Sequence, residues 1–329
     1  MRTFDAVQTE TWAPPRLEVR MHARILGALQ ISRGTEVLSA GQLGGPKARQ
    51  ILEILLLHLG TPVSKSTLVD LLWAGAAPAA AVSTLESHVS VLRRCLQPGQ
   101  GKAGALKTTT GGYLLDQESI DLDLACFASL LQLAQHSNAK LAHHYLAQAL
   151  AMATEPLLGS ELLPEWAETE RRMHEARVAS ARILAAQSAL ELGLGTEAVR
   201  QAQCVLDTDA LNEPAWTALI LGLELDGNPV QGLRAFDRCR RIMDRELGCL
   251  PGPVLQAAQQ RMLQQASAAN DDFGQVIQAL LTIRETRAGK EHLTWPKDMD
   301  PSNGQGSSLH EAGDIILRYL QGALSGMAV

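Results

Sequence analysis

Between Pro46 and Leu115 the residue spacing admits few folds. Pro46 can open a helix that runs to about His58 with Ile51, Leu52, Leu55 and Leu59 inward. Thr61-Pro-Val-Ser64 breaks the chain, and Ser66 is placed to cap a second helix ending near Leu72. A third helix, Val82 to Leu96, sets Val82, Leu85, Val89, Leu92 and Leu96 on one stripe, which predicts one face seated on a core. Its other face carries Ser83, Ser87, His88, Ser90 and Arg94, mostly short polar groups that leave room for a partner. A flexible link follows, and Leu106 to Leu115 reads as a hairpin around Thr-Gly-Gly-Tyr. Three helices and a hairpin outline a winged helix, which makes double-stranded DNA the first partner to test.

Charge supports that outline. From His22 to Leu115 nine Lys/Arg face four acids, so this stretch carries +5. Residues 1–21 balance at three of each sign, and the whole chain is −6, which leaves −11 for residues 116–329. A basic module joined to an acidic one fits a nucleic-acid reader with a partner domain. An apolar fraction of 46% excludes wholesale disorder, and 4% aromatics with abundant alanine favours packed helices over a β-sandwich.

Cys95, Cys126, Cys204, Cys239 and Cys249 are scattered and odd in number, as reduced structural thiols would be. Residues 1–20 carry acids and a Pro14-Pro15 pair but no apolar leader, and read as a disordered lead-in. The longest apolar run, around Ile54–Leu57, is far short of a membrane span. The expectation is a cytoplasmic protein with no membrane partner.

Ahead of the three helices, Ile25 to Ile31, Ser32-Arg-Gly34 and Thr35 to Leu38 read as strand, turn, strand. After Asp121 strand signals disappear. Asp123 can cap a helix containing Phe127, Leu130 and Leu131, a second covers roughly 139–153, and a long one runs from about Pro164 to Leu192. Thr196-Glu-Ala-Val-Arg-Gln-Ala202 then aligns with Val230-Gln-Gly-Leu-Arg-Ala-Phe236 at a shift of 34 residues, the tetratricopeptide period. A helix at about 254–265 closes that region. Beyond it, 271–286 and 309–323 have helical character, and 295–308 reads as a linker. The fold class is thus mainly α: a small α+β winged helix at 21–117, an all-α tetratricopeptide-like solenoid at 118–268, and an extension at 269–329.

Enzyme signatures fail. Gly101-Lys102 lacks the preceding glycine and following hydroxyl of a phosphate loop, since Leu96 and Ala103 stand there. His143 and His144 adjoin, so they point to different sides of a helix. No Gly-x-Ser-x-Gly or His-Glu-x-x-His occurs. No catalytic, metal or cofactor site is expected.

The order of these pieces resembles the SARP family of bacterial transcriptional activators. Those proteins join an OmpR-type winged helix to a helical bacterial transcriptional activator domain. The landmarks are Ile25-Leu-Gly27, Val63-Ser-Lys-Ser-Thr-Leu-Val-Asp-Leu-Leu-Trp73, Val89-Ser-Val-Leu-Arg-Arg94 and Gly111-Gly-Tyr113. Further on stand Pro156-Leu-Leu-Gly159, Leu163-Pro-Glu-Trp166 and Arg238 to Gly248. The resemblance implies promoter DNA as partner, with Ser83, Thr84, Ser87, His88, Ser90, Val91, Arg93 and Arg94 toward the major groove. Lys107, Thr108 and Thr109 would reach the backbone from the wing. It implies that Ala74, Gly75, Ala76, Ala77 and Pro78 form the loop that engages RNA polymerase, with Trp73 positioning it. A second copy is implied on direct repeats near the −35 element.

The chain departs from that pattern in one consistent direction. Val91, Ser83 and Ser90 stand where relatives carry basic residues, and Thr109 and Leu114 replace frequent arginines of the wing. Fewer guanidinium groups reduce both guanine contacts and the electrostatic attraction to phosphate. The competing reading is a tetratricopeptide adaptor whose winged helix no longer binds DNA specifically. Taken alone, Arg93 and Arg94 are also what a solvated helix end would carry.

Overall fold

A computed structural model of the chain describes residues 20–159 and 165–265. The expected lead-in before Arg20, the expected helix start at Pro164, and the helices and linker expected after 268 lie outside the described residues. Two compact units divide at Ser188 and Ala189, inside the long helix.

The first unit opens with a sheet. Strands β1 (Met21–Arg24), β2 (Gln30–Arg33) and β3 (Glu36–Ser39) run antiparallel in sequence order. Helices α1 (Pro46–Leu57), α2 (Lys65–Trp73) and α3 (Ala81–Leu96) follow, with the short strand β4 (Val63–Ser64) leading into α2. The wing is β5 (Leu106–Thr109) paired antiparallel with β6 (Gly112–Leu115), and β4 joins its far edge. The chain then returns as β7 (Ile120–Leu122), parallel to β1, giving the order β3-β2-β1-β7.

Helices α4 (Asp123–Gln135), α5 (Ala139–Met152) and most of α6 (Glu165–Glu191) complete this unit. One apolar core runs through it, from Ile51, Leu52 and Leu55 of α1 and Leu85, Val89 and Leu92 of α3 to Phe127, Leu157 and Leu158. The mainly helical class with a small winged-helix region is therefore as the sequence implies.

Four local expectations change. The stretch from Ile25 to Ile31 is not one strand, because Gly27 at φ +110° turns the backbone out of the sheet. The freed segment pairs instead with Pro156-Leu-Leu-Gly159. Leu158 N donates to Ile25 O at 2.8 Å, Gly159 N to Gly27 O at 2.8 Å and Gly27 N to Pro156 O at 3.1 Å. Two landmarks that lie far apart in the chain thus form one backbone contact.

Asp123 does not act as a simple helix cap. Its carboxylate accepts the amides of Ile25, Leu26 and Leu124, the Leu26 bond at 2.8 Å, and so ties the end of β1 to the start of α4. Burial raises its pKa, while the amide bonds pull the other way.

Ser64, not Ser66, caps α2, accepting the Thr67 amide at 3.0 Å, because Ser64 holds the extended backbone just before the first turn. On α3, Val82 is 50% exposed and Ala81 takes its place in the buried stripe. The helix begins one residue earlier than expected, and the small Ala81 fits where the tight turn from Pro78 delivers the chain.

The second unit contains α7 (Gly195–Leu206), α8 (Glu213–Leu225), α9 (Pro229–Leu247) and α10 (253–265). Helices α7 and α9 begin 34 residues apart, at Gly195 and Pro229, as the repeat requires. Trp216, Phe236, Cys239, Met243 and Met262 are buried in it. Among the described residues no helix is long and apolar enough to cross a membrane.

Candidate nucleic-acid interface

Helix α3 presents a polar face because Ala81, Leu85, Val89, Leu92 and Leu96 are drawn into the core on the other side. Ser83, Ser87, Ser90 and Arg94 are exposed, while Thr84, His88, Val91 and Arg93 are half-buried. Four of the hydroxyls fold back on the helix. Ser83 and Thr84 both donate to Ala80 O, Ser87 donates to Ser83 O, and Ser90 donates to Glu86 O. Each oxygen keeps lone pairs for a donor, and a rotation of χ1 would be needed to donate outward.

Val91 does not project freely. A Cβ built on Gly44 would lie 3.0 Å from Val91 Cγ1, so the side chain packs on the loop before α1.

Arg93 and the wing form one assembly. The Arg93 guanidinium donates from Nε to Leu106 O at 3.1 Å and from Nη2 to Thr108 Oγ1 at 2.7 Å. It also stands over the Tyr113 ring at 5.8 Å, and Lys65 Nζ lies 5.9 Å from the same ring. Lys65 in turn pairs with Glu86 of α3 at 2.6 Å. Burial raises the pKa of the Tyr113 phenol, which Lys65 and Arg93 oppose. Tyr113 is thus the post against which two cations brace helix and hairpin.

The remaining wing residues are similarly committed. Lys107 pairs with Asp116 at 2.9 Å, and that bond is the main reason the Asp116 carboxyl sits below its usual range. The Thr109 hydroxyl is buried with no hydrogen-bond partner among the described residues. At the tip Gly111 takes φ +86°, but Gly112 answers to the interior: a Cβ there would meet Val63 O at 2.2 Å. The second glycine therefore lets β4 approach β6 and has no need of a phosphate to explain it.

These pairings shrink the basic surface. Of the nine cations between 22 and 115, Arg24, Arg33, Lys65 and Lys107 form ion pairs, to Glu155, Glu36, Glu86 and Asp116. Lys47 donates to Leu72 O and lies over the Trp73 ring at 5.7 Å. Arg94 and Lys102 are exposed and have no acidic partner among the described residues. The +5 between His22 and Leu115 overstates this surface, since Glu155 and Asp116 lie outside that stretch of chain and neutralise Arg24 and Lys107 across the fold.

The loop from Ala74 to Pro78 is exposed throughout. Ala74 closes α2 in the left-handed region at φ 47°, and its amide returns to Asp70 O at 2.9 Å. With no polar side chain, the loop offers a partner small apolar groups and backbone.

Residues 42–115 match the family model described as the C-terminal domain of transcriptional regulatory proteins, and residues 122–263 match the bacterial transcriptional activator domain. The regulatory protein DnrI of Streptomyces peucetius is 27% identical over 247 residues, covering 72% of this chain and 90% of DnrI. AfsR of Streptomyces griseus is 29% identical over 253 residues, covering 73% of this chain, but the match spans only 24% of AfsR. The transcriptional regulatory protein EmbR of Mycobacterium tuberculosis is 27% identical over 318 residues, covering 92% of this chain and 79% of EmbR. A solved structure of EmbR in complex with a low-affinity phosphopeptide shares the fold, at a TM-score of 0.67 and 22% identity, covering 92% of this chain and 71% of that one.

Proposed function

Because the chain belongs to the SARP family of transcriptional activators, we propose that it binds promoter DNA in a sequence-specific manner and activates transcription there. The observation that carries this reading is the two-sided α3, with its apolar stripe buried and Ser83, Ser87, Ser90 and Arg94 exposed beside a wing. In this reading α3 enters the major groove. Ser83, Ser87, Ser90 and Arg94 face the bases and flanking phosphates, with Thr84, His88 and Val91 at the edge of the contact. Arg93 and Thr108 set the angle between helix and wing, and Lys107 and Thr108 lie along the DNA backbone, while Thr109, expected there from the sequence, keeps its hydroxyl buried and is left out of the contact. Residues 21–117 act as the DNA-binding module and 118–268 as the activating one.

The exposed loop from Ala74 to Pro78 is assigned to RNA polymerase, and a second copy occupies an adjoining direct repeat. Pairing on DNA fits the sparse basic surface, since two weak modules on one duplex gain from effective concentration.

An anisotropy titration of the full chain against upstream DNA tests this. Specific binding should exceed binding to a scrambled duplex and should weaken steeply with salt. The depleted cation set favours one competitor, an adaptor that contacts proteins through the winged helix. Equal affinity for promoter and scrambled DNA at every salt concentration would remove the sequence-specific activator reading, and no binding to either duplex would favour that competitor.

A further inference from the structure

Among the described residues of the second unit, positive charge is gathered on one helix. Between residues 189 and 265 there are seven Lys/Arg, and five of them, Arg234, Arg238, Arg240, Arg241 and Arg245, lie on α9. Four of these follow a 4-3-4 spacing. At 3.6 residues per turn, Arg234, Arg238, Arg241 and Arg245 fall within an arc of about 60° and span about 16 Å of helix. That arc stands opposite the buried Gly232, Phe236, Cys239 and Met243, so the stripe is turned directly outward. No acid stands within it, and Asp237 and Asp244 lie at its edge.

The arginines are available in different degrees. Arg241 and Arg245 are 70% and 74% exposed, against 29–48% for the paired Arg24, Arg33, Lys65 and Lys107 of the first unit, so water screens their contacts to Asp237 and Glu246 more fully. Arg238 lies over the Trp216 ring at 5.8 Å, which fixes it in place while leaving its charge. Arg234 is exposed and has no acidic partner among the described residues.

A row of guanidinium groups on an otherwise acidic region suits a polyanion. Of the nine winged-helix cations Arg49 donates to Gly44 O at 3.3 Å, and among the described residues Arg94 and Lys102 have neither an acidic partner nor a hydrogen bond. We propose that the α9 stripe is a second phosphate-binding surface, and that it supplies much of the sequence-independent attraction to duplex DNA that the winged helix lacks. This rests on the DNA-binding reading above. Guanidinium groups suit the task because each can engage a phosphate through two parallel N–H donors.

The test uses the full chain and a random-sequence 30-bp duplex, with affinity measured across a salt series. Each phosphate contact removed should reduce the slope of log affinity against log salt by about 0.9. Arg234→Ala, Arg241→Ala and Arg245→Ala together should therefore flatten the slope by roughly 2–3 and weaken random and promoter duplexes by the same factor. Arg238 is left intact in this variant because its stacking on Trp216 contributes to packing. The matching triple lysine variant should keep most of the slope, which a loss caused by misfolding would not reproduce. An unchanged slope in the triple alanine variant overturns the proposal, as does lost activation with unchanged DNA affinity, which would assign the stripe to an acidic protein. Wild-type protein that binds no duplex at low salt would instead sink the DNA reading itself.

Discussion

Arg93 and Thr108 hold each other across the gap between α3 and the wing, with the guanidinium Nη2 donating to the hydroxyl at 2.7 Å. Together with the bond to Leu106 O, this contact makes the relative pose of helix and hairpin a property of the folded chain, present before any partner arrives. Neighbouring Arg94 is exposed and has no such engagement among the described residues, so two adjacent arginines in one motif differ in their surroundings.

Single substitutions should separate them. Arg94→Ala is expected to weaken promoter binding by about 1–2 kcal/mol with no loss of stability. Arg93→Ala should lower the stability of the fold by about 1–3 kcal/mol, since it removes charge-assisted bonds and leaves the carbonyl of the buried Leu106 without the guanidinium donor. Urea denaturation beside DNA titration reads both quantities. Equal effects of the two variants on stability would contradict the brace.

The two wing glycines should also differ. Gly112→Ala places a Cβ 2.2 Å from Val63 O, and separating β4 from β6 should cost about 1–3 kcal/mol. Gly111→Ala meets no neighbour, and only its φ of +86° opposes the change, at about 1 kcal/mol. Thermal melts of both variants check the order, and a more damaging Gly111 change would show that the tip is the constrained position.

His174 predicts an acid-sensitive fold. It is 3% exposed, packs edge-on against Phe127 at 5.0 Å, and neither ring nitrogen has a partner among the described residues. Burial, and then the positive Arg177, lower its pKa from 6.5. A depressed folded-state value means the unfolded chain takes up the proton first. The stabilisation is therefore complete above 6.5 and is lost as pH falls through the folded value. Urea midpoints measured from about pH 7.5 down to 5 should decline, and His174→Leu should flatten that decline. An identical pH profile in the variant would assign the effect elsewhere.

Truncation should expose the shared core. A fragment ending at residue 120 would keep the three helices and wing but lose Phe127, Leu157 and Leu158, all at or below 2% exposure. It would also strip the Ile25 and Leu26 amides of the Asp123 carboxylate. We expect residues 1–120 to show molten behaviour by near-ultraviolet circular dichroism, and residues 1–188 to fold cooperatively. A cooperative melt from the shorter fragment would show that the DNA-binding module is autonomous.

Much of this protein is legible in the residue order, and the reason is local. Helical spacing from Pro46 to Leu96, the glycine-marked hairpin and the shift of 34 residues between Gly195 and Pro229 are short-range patterns, which neighbouring residues impose on each other through backbone geometry. The two-sided character of α3 followed from that periodicity alone. What tertiary structure decided was how each polar group is used. Asp123 looked like a cap and is a clamp on β1, because its partners at Ile25 and Leu26 are nearly a hundred residues away. Lys107 and Arg93 looked like free cations, but Asp116, Leu106 O and Thr108 engage them once the wing folds back on the helix. Charge is counted along the chain but acts through space, so composition could set the sign of this surface and only the fold could say how little of it remains unpaired.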